Sequence, residues 1–212
     1  MSDPFLQIHS DPIGEGQERI CYVHPDDPSK LIKVIKGESD KQTRREMKLY
    51  RRLMRRKETD FSQLPRFYGK VQTNLGRGFV TDLVRDYDGS ISNSLYWFFE
   101  RGIPANEFAA YLEELRQYLL RNQIMISADM RRTNVLFQKL SPQQAQLVVI
   151  DGLGNHSAIN WFDGFRAVSD SKITRRWDRF YRQLFIHSDE MLRDYGGPAN
   201  RLEKEYQKDD VK

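Results

Sequence analysis

Residues 123–154, QIMISADMRRTNVLFQKLSPQQAQLVVIDGLG, restrict this chain more than any other stretch. A short apolar run, Ile124 to Ile126, leads into Ser127-Ala128-Asp129, and Asn134 follows five residues after that aspartate. Val135-Leu136-Phe137 comes next, then a turn at Ser141-Pro142, and Leu147 to Ile150 ends on Asp151. Short apolar runs bounded by turn residues read as buried strands. Two such strands deliver Asp129, Asn134 and Asp151 to one loop-lined edge. Two carboxylates and an amide suit Mg2+, a hard ion that takes few protein oxygens and completes its shell with phosphate and water.

The spacing resembles the catalytic loop of protein-kinase-like phosphotransferases, where His-Arg-Asp is followed by Asn and later by Asp-Phe-Gly. Here Ser127 and Ala128 replace the His and Arg, and the second motif reads Asp-Gly-Leu (151–153). Each half alone is a weak signal. The two together, with apolar strands between them, are specific.

Composition sets the frame around this stretch. In 212 residues, 30% are charged and 39% hydrophobic, which describes a globular chain with a core rather than a disordered one. No apolar run approaches the roughly 20 residues that span a bilayer, and the opening MSDPFLQIHSDP has no basic-then-apolar leader. The single cysteine, Cys21, excludes an internal disulfide and fits a reducing compartment, so the cytoplasm is expected. A net charge of +4 permits an anionic ligand without demanding nucleic acid.

From the start of the chain, Phe5 to Ile8 reads as a first strand, and residues 13–23 as a turn into a second. Gly14 and Gly16 allow the backbone to approach a polyphosphate closely. Arg19 stands where a third glycine would complete a phosphate loop, and a lone Gly-x-Gly is more often a simple hairpin turn. Cys21 reads as a small buried hydrophobe. In LIKVIK (31–36), alternation places Lys33 with Leu31 and Ile35, and Lys36 with Ile32 and Val34. One lysine should lie indoors, and a buried ammonium needs an anion. The helix expected over Thr43 to Arg56 supplies one: Glu46 shares an apolar face with Leu49, Tyr50 and Leu53. Its bland placement is a solvated rim; the preferred one is an ion pair with Lys33, with Lys36 as the alternative. Strands at Arg66 to Gln72 and Gly78 to Val84 complete five strands and one helix, and Asp82 to Ser90 reads as a connector.

The remainder reads as mainly helical. A short helix is expected over Ile91 to Phe99, and a longer one opening at Pro104 with a stripe of Phe108, Tyr111, Leu112, Leu115, Tyr118 and Leu119. Trp161, Phe162 and Phe165 form an aromatic group, and a last helix spans about Ile173 to Leu192. His156 reads as a surface or capping histidine.

The order of elements, with CYVHPDDPSKLIKV (21–34), REMKLYRRL (45–53), LPRFYGKVQTNLGRGFV (64–80) and DYDGS (86–90), resembles the YrbL family of PhoP regulatory network proteins, within the protein-kinase-like superfamily. The resemblance implies an α+β, two-lobed kinase-like fold, with a five-stranded lobe over residues 1–84 and a small, mainly helical lobe over 85–212. It implies ATP and Mg2+ as cofactors, Lys33 on the α/β-phosphates with Glu46 orienting it, Asp129 accepting the acceptor's proton, and Asn134 and Asp151 holding metal. Arg131 stands where it can neutralise a transferring phosphate, while Arg132 reads as solvated loop charge. No Ala-Pro-Glu segment follows Asp151, which favours a small-molecule acceptor over a protein one. A kinase-like binding module without catalysis is the alternative, favoured by the missing His, Arg and Phe. The basic runs 51–57 and 174–176 sit beside apolar stripes as solvated helix faces do, so nucleic-acid binding ranks last.

Overall fold

The computed structural model describes residues 5–37, 41–128, 130–154 and 166–195, with side chains as far as residue 186 in the last segment. Asp129, His156 and the group Trp161, Phe162 and Phe165 lie outside the described residues. The chain divides into two compact units, Met1–Arg85 and Asp86–Lys212.

The first unit is an antiparallel sheet with one helix. Its strands are β1 (Gly14–Glu15), β2 (Arg19–His24), β3 (Asp27–Ile35), β4 (Phe67–Thr73) and β5 (Gly76–Asp82), in spatial order β1-β2-β3-β5-β4. Residues 5–8 do not form the expected strand; Leu6 makes an isolated bridge to Thr73, and Ile8 is fastened by Asn74. The fifth strand is instead the short β1, which hairpins back onto β2 through Gly16 N donating to Arg19 O at 2.8 Å.

Alternation decides which side chains meet. Ile32 and Val34 of β3 join Ile8, Tyr22 and Val80 in an apolar cluster on one face. The other face carries Arg19, Cys21, Lys33 and Phe79, because β2 pairs Cys21 with Lys33 and β5 pairs Phe79 with it. Cys21 is half-buried there rather than fully enclosed. Helix α1 (Lys41–Arg55) buries Glu46, Met47, Leu49, Tyr50 and Leu53. Tyr50 fastens it, stacking on Phe67 at 5.2 Å between ring centroids and donating to Pro65 O at 3.0 Å. The first turn of α1 has no acidic residue of its own, and the Glu18 carboxylate accepts from Gln42 N at 2.9 Å in that place.

The second unit opens with Asp86, whose carboxylate accepts from the Ser92 hydroxyl and from Lys139 N, closing the DYDGS turn onto the sheet. Burial raises the Asp86 pKa above the ordinary 3.8, against the lowering by these two donors. Strands β6 (Asn93–Ser94), β7 (Val135–Ser141) and β8 (Gln144–Val149) pair in that order. The helix expected from Ile91 begins only at Leu95, because Ser94 ends β6 and its hydroxyl caps α2 (Leu95–Phe99) by accepting from Trp97 N. Pro104 precedes a 3-10 turn (Ala105–Phe108) that feeds α3 (Ala109–Arg121). Phe98, Phe108 and Phe137 meet edge to face, with centroids 5.3–5.5 Å apart. The last helix, α4 (Arg166–Tyr195), buries Ile173, Trp177, Phe180 and Leu184. Among the described residues no helix is long and apolar enough to cross a membrane.

Candidate functional site

In the first unit the site is a buried ion cluster. Lys33 is 4% exposed, Glu46 1% and Arg19 4%. Lys33 Nζ lies 3.0 Å from Glu46 Oε1, while an Arg19 terminal nitrogen donates to Glu46 Oε2. Phe79 walls the cluster: its ring centroid is 5.5 Å from Lys33 Nζ and 5.7 Å from the Arg19 guanidinium carbon. Each partner follows from its element. Lys33 points to the α1 face by strand alternation, Glu46 is on the apolar stripe of α1, and Arg19 is paired opposite Ile35 on the same sheet face. Gly78 keeps the sheet close at this point, since a Cβ there would stand 2.7 Å from Lys33 O.

Lys36 is elsewhere. It is half-exposed, pairs with Glu15 and donates to Gly16 O at 3.4 Å. Gly14 and Gly16 lie exposed on the β1–β2 hairpin. Neither has a positive φ, and a Cβ added at either would meet nothing nearer than 3.7 Å. The protein's own packing therefore does not demand glycine at these two positions.

Arg19 is the residue the sequence reading missed. It drew notice only as the absent third glycine. The available signal was register: Arg19 and Cys21 share a face, and that face is shared with Lys33 once β2 pairs with β3.

In the second unit the chain leaves α3 through Gln123, at φ 54°, and runs back beside residues 152–154. Ser127 N donates to Gly152 O and Gly154 N to Met125 O, both at 2.7 Å, around an antiparallel bridge between Ile126 and Leu153. Helix α4 fastens this ladder from outside: Arg176 donates to Ile126 O at 2.7 Å, and Gln123 Nε2 donates to Asp170 at 2.5 Å. Arg132–Asn134 forms a 3-10 turn, and Ile150 N donates to Asn134 O at 2.9 Å, so the backbone of Asn134 is fixed next to Asp151. Asp151 accepts from Gly152 N at 2.6 Å. Gly152 is at φ +73°, and a Cβ on it would stand 2.7 Å from Met130 Sδ and 3.3 Å from Asn134 Nδ2. Only a glycine lets the Asn134 amide lie against the Asp151 turn. The structure thus brings Asn134 and Asp151 together, and their amide and carboxylate oxygens are the hard donors that Mg2+ prefers.

Arg131 is exposed on the same loop. Arg132 is not the solvated charge the sequence suggested: it is half-buried, with its guanidinium 4.9 Å from the Tyr96 ring centroid. An aromatic face recruited from α2, distant in sequence, overrides the loop's polarity.

A sequence model of the family described as PhoP regulatory network protein YrbL matches residues 7–185. The chain belongs to the YrbL family. It is 34% identical over 178 residues to the YrbL protein of Escherichia coli K12, a match covering 81% of this chain and 84% of that protein. The YrbL protein of Shigella flexneri matches to the same extent. Among solved structures, the kinase domain of Mycobacterium tuberculosis PknI, in a double-mutant form, aligns at a TM-score of 0.53 and 14% identity, covering 89% of this chain and 76% of that one. The fold is therefore the α+β, protein-kinase-like fold.

Proposed function

We propose that this YrbL-family protein is an ATP- and Mg2+-dependent phosphotransferase with a small-molecule acceptor. The observation that carries the reading is the buried Lys33–Glu46 contact at 3.0 Å in a kinase-like fold. A lysine enclosed this way and oriented by a carboxylate is a fixed cation for phosphate oxygens, where a solvated lysine would have to be ordered at binding. In this reading residues 1–84 grip the nucleotide, with Lys33 on its α/β-phosphates, Glu46 orienting Lys33, and the backbone at Gly14 and Gly16 approaching the phosphates.

Residues 85–212 supply the metal and acceptor chemistry. Asn134 and Asp151 hold Mg2+, which when bound neutralises charge on the phosphates. Among the described residues no three or more His, Cys, Asp or Glu are grouped so as to hold a metal ion by themselves. Two protein ligands suit an ion that arrives with its phosphates and keeps several waters. Asp129 accepts the proton of the acceptor hydroxyl as that oxygen bonds to the terminal phosphorus and the bond to the bridging oxygen breaks. Arg131 offsets charge on the transferring group.

The alternative is a kinase-like binding module without transfer, and Ser127-Ala128 in place of His-Arg is the observation in its favour. The first test is thermal. A ligand present at a hundred times its dissociation constant adds about 2.7 kcal/mol, which for a chain of this size raises the melting temperature by roughly 5–10 °C. A melting curve unmoved by saturating Mg-ATP would remove the nucleotide from both readings.

A further inference from the structure

The span Met130 to Thr133, between the proposed base Asp129 and the proposed metal ligand Asn134, lines a cleft of about 370 Å3 with Tyr96 of α2 and with Phe180 and Leu184 of α4. That volume falls in the range of small-molecule sites, roughly 300–1,000 Å3. Its inner wall is apolar, with Met130, Phe180 and Leu184 each at least nine-tenths buried, while Thr133 and Gln183 add uncharged polar groups at its exposed rim. Its charges are two guanidinium groups, Arg131 and Arg132. Among the described residues neither makes an ion pair or a hydrogen bond through its side chain, and Arg132 Nε is enclosed with no acceptor. Arg132 is held instead by its stacking over the Tyr96 ring. A guanidinium already immobilised on an aromatic face, with acceptors wanting, is a pre-ordered fork for a carboxylate or phosphate.

We propose that this cleft binds the anionic group of the phosphate acceptor, a small hydroxyl-bearing molecule with an apolar body and a phosphate or carboxylate. Arg132 is the anchor, and Met130, Phe180 and Leu184 take the apolar body. The role as acceptor site rests on the phosphotransferase reading; anion binding does not. The cleft's place on the loop between Asp129 and Asn134 in the chain is what ties the anion to the transfer step.

The test uses the full chain labelled with 13C at the methionine methyls, because Met130 lines this cleft while Met54 lies in the other unit. Phenyl phosphate, phenylacetate and benzyl alcohol are titrated separately, without nucleotide. The expected result is a saturable shift at Met130 with at least one of the two anions and none with the neutral alcohol; the tighter anion identifies the head group. Arg132→Gln should weaken that binding about tenfold or more, the loss of one charge-assisted hydrogen-bonding group. Arg132→Lys should fall between the two, since it retains charge without the stacked fork. Thr133→Glu adds an acid at the exposed cleft rim without removing the packed guanidinium, and it should weaken binding too. Benzyl alcohol binding as well as the anions overturns the proposal. So does unchanged affinity in Arg132→Gln and Thr133→Glu, or a response at Met54 but not at Met130. The Mg-ATP melting shift, measured on the same sample, judges the nucleotide reading separately. Anion binding at Met130 without that shift leaves the cleft and removes the phosphotransferase; the reverse removes only the cleft.

Discussion

Glu46→Gln should be the most damaging single substitution in the first unit, and more damaging than Lys33→Met. Glu46 is 1% exposed and contacts two buried cations, Lys33 at 3.0 Å and Arg19. At 3.0 Å and an effective dielectric constant of about 20, one such pair is worth roughly 5–6 kcal/mol of Coulomb attraction before desolvation is subtracted. Net of desolvation, removing one member of a buried pair costs about 3–5 kcal/mol, largely because the survivor keeps its buried charge. Glu46→Gln removes the carboxylate that both cations contact, so it should reach the upper part of that range. Lys33→Met leaves Glu46 with Arg19, so its cost should be nearer that of one charge-assisted hydrogen bond, about 1.5–3 kcal/mol. A chain of this length loses about 2–4 °C of melting temperature per kcal/mol, so Glu46→Gln should lower it by roughly 6–20 °C. Far-UV circular dichroism in a urea series measures both variants, the double variant and Arg19→Met. Hydrogen exchange of β2 and β3 amides assigns the loss to the first unit. The double variant should be less destabilised than the two singles summed. If Lys33→Met costs as much as Glu46→Gln, or the cycle is additive to within about 0.5 kcal/mol, the shared-carboxylate account is wrong.

Asp151→Asn should weaken Mg2+-dependent nucleotide binding, whereas Asp129→Asn should spare it and reduce phosphoryl transfer by about 10²–10⁴-fold; equal loss of ATP affinity in calorimetry contradicts the separate roles. Gly152→Ala should destabilise the second unit by about 1–3 kcal/mol through its positive φ and should also weaken Mg2+ binding, because its Cβ crowds Met130 and Asn134; denaturation midpoints with and without Mg-ATP separate the two effects. Burial holds the Asp86 pKa above 3.8, so as pH rises past 3.8 the folded state keeps a proton the unfolded chain releases, and stability falls until pH passes the folded value. Asp86→Asn should remove that slope; an identical melting-temperature profile with pH for both proteins would mean Asp86 does not supply it.

The two units differ in how much of them local sequence could specify. Period-two alternation in LIKVIK and the helical stripe around Glu46 name the faces of β3 and α1, and burial of a lysine and a glutamate among apolar neighbours asks for a partner. Alternation leaves Lys33 and Lys36 equivalent, however. Tertiary packing separated them by placing α1 over the Lys33 face and leaving Lys36 to pair with Glu15 at the hairpin. The Asp-x-x-x-x-Asn and Asp-Gly spacing marks the second candidate site, and the short apolar runs between them, bounded by turn residues, read as strands. The first strand was misplaced because Phe5 to Ile8 has strand composition, while strand identity depends on which backbone finds a free sheet edge. That edge pairs with Gly14–Glu15.

Sequence by itself determined the family, the kinase-like order of elements and the residue types at each candidate position, because these rest on spacing and periodicity along one chain. Only the tertiary structure decided that Arg19 shares Glu46, that Gly152 admits the Asn134 amide, and that Arg132 lies over Tyr96 in a cleft closed by α4. Each of these joins residues at least 18 positions apart in the chain. No local propensity encodes such contacts. They follow from strand register, helix placement and the exclusion of water where those elements meet.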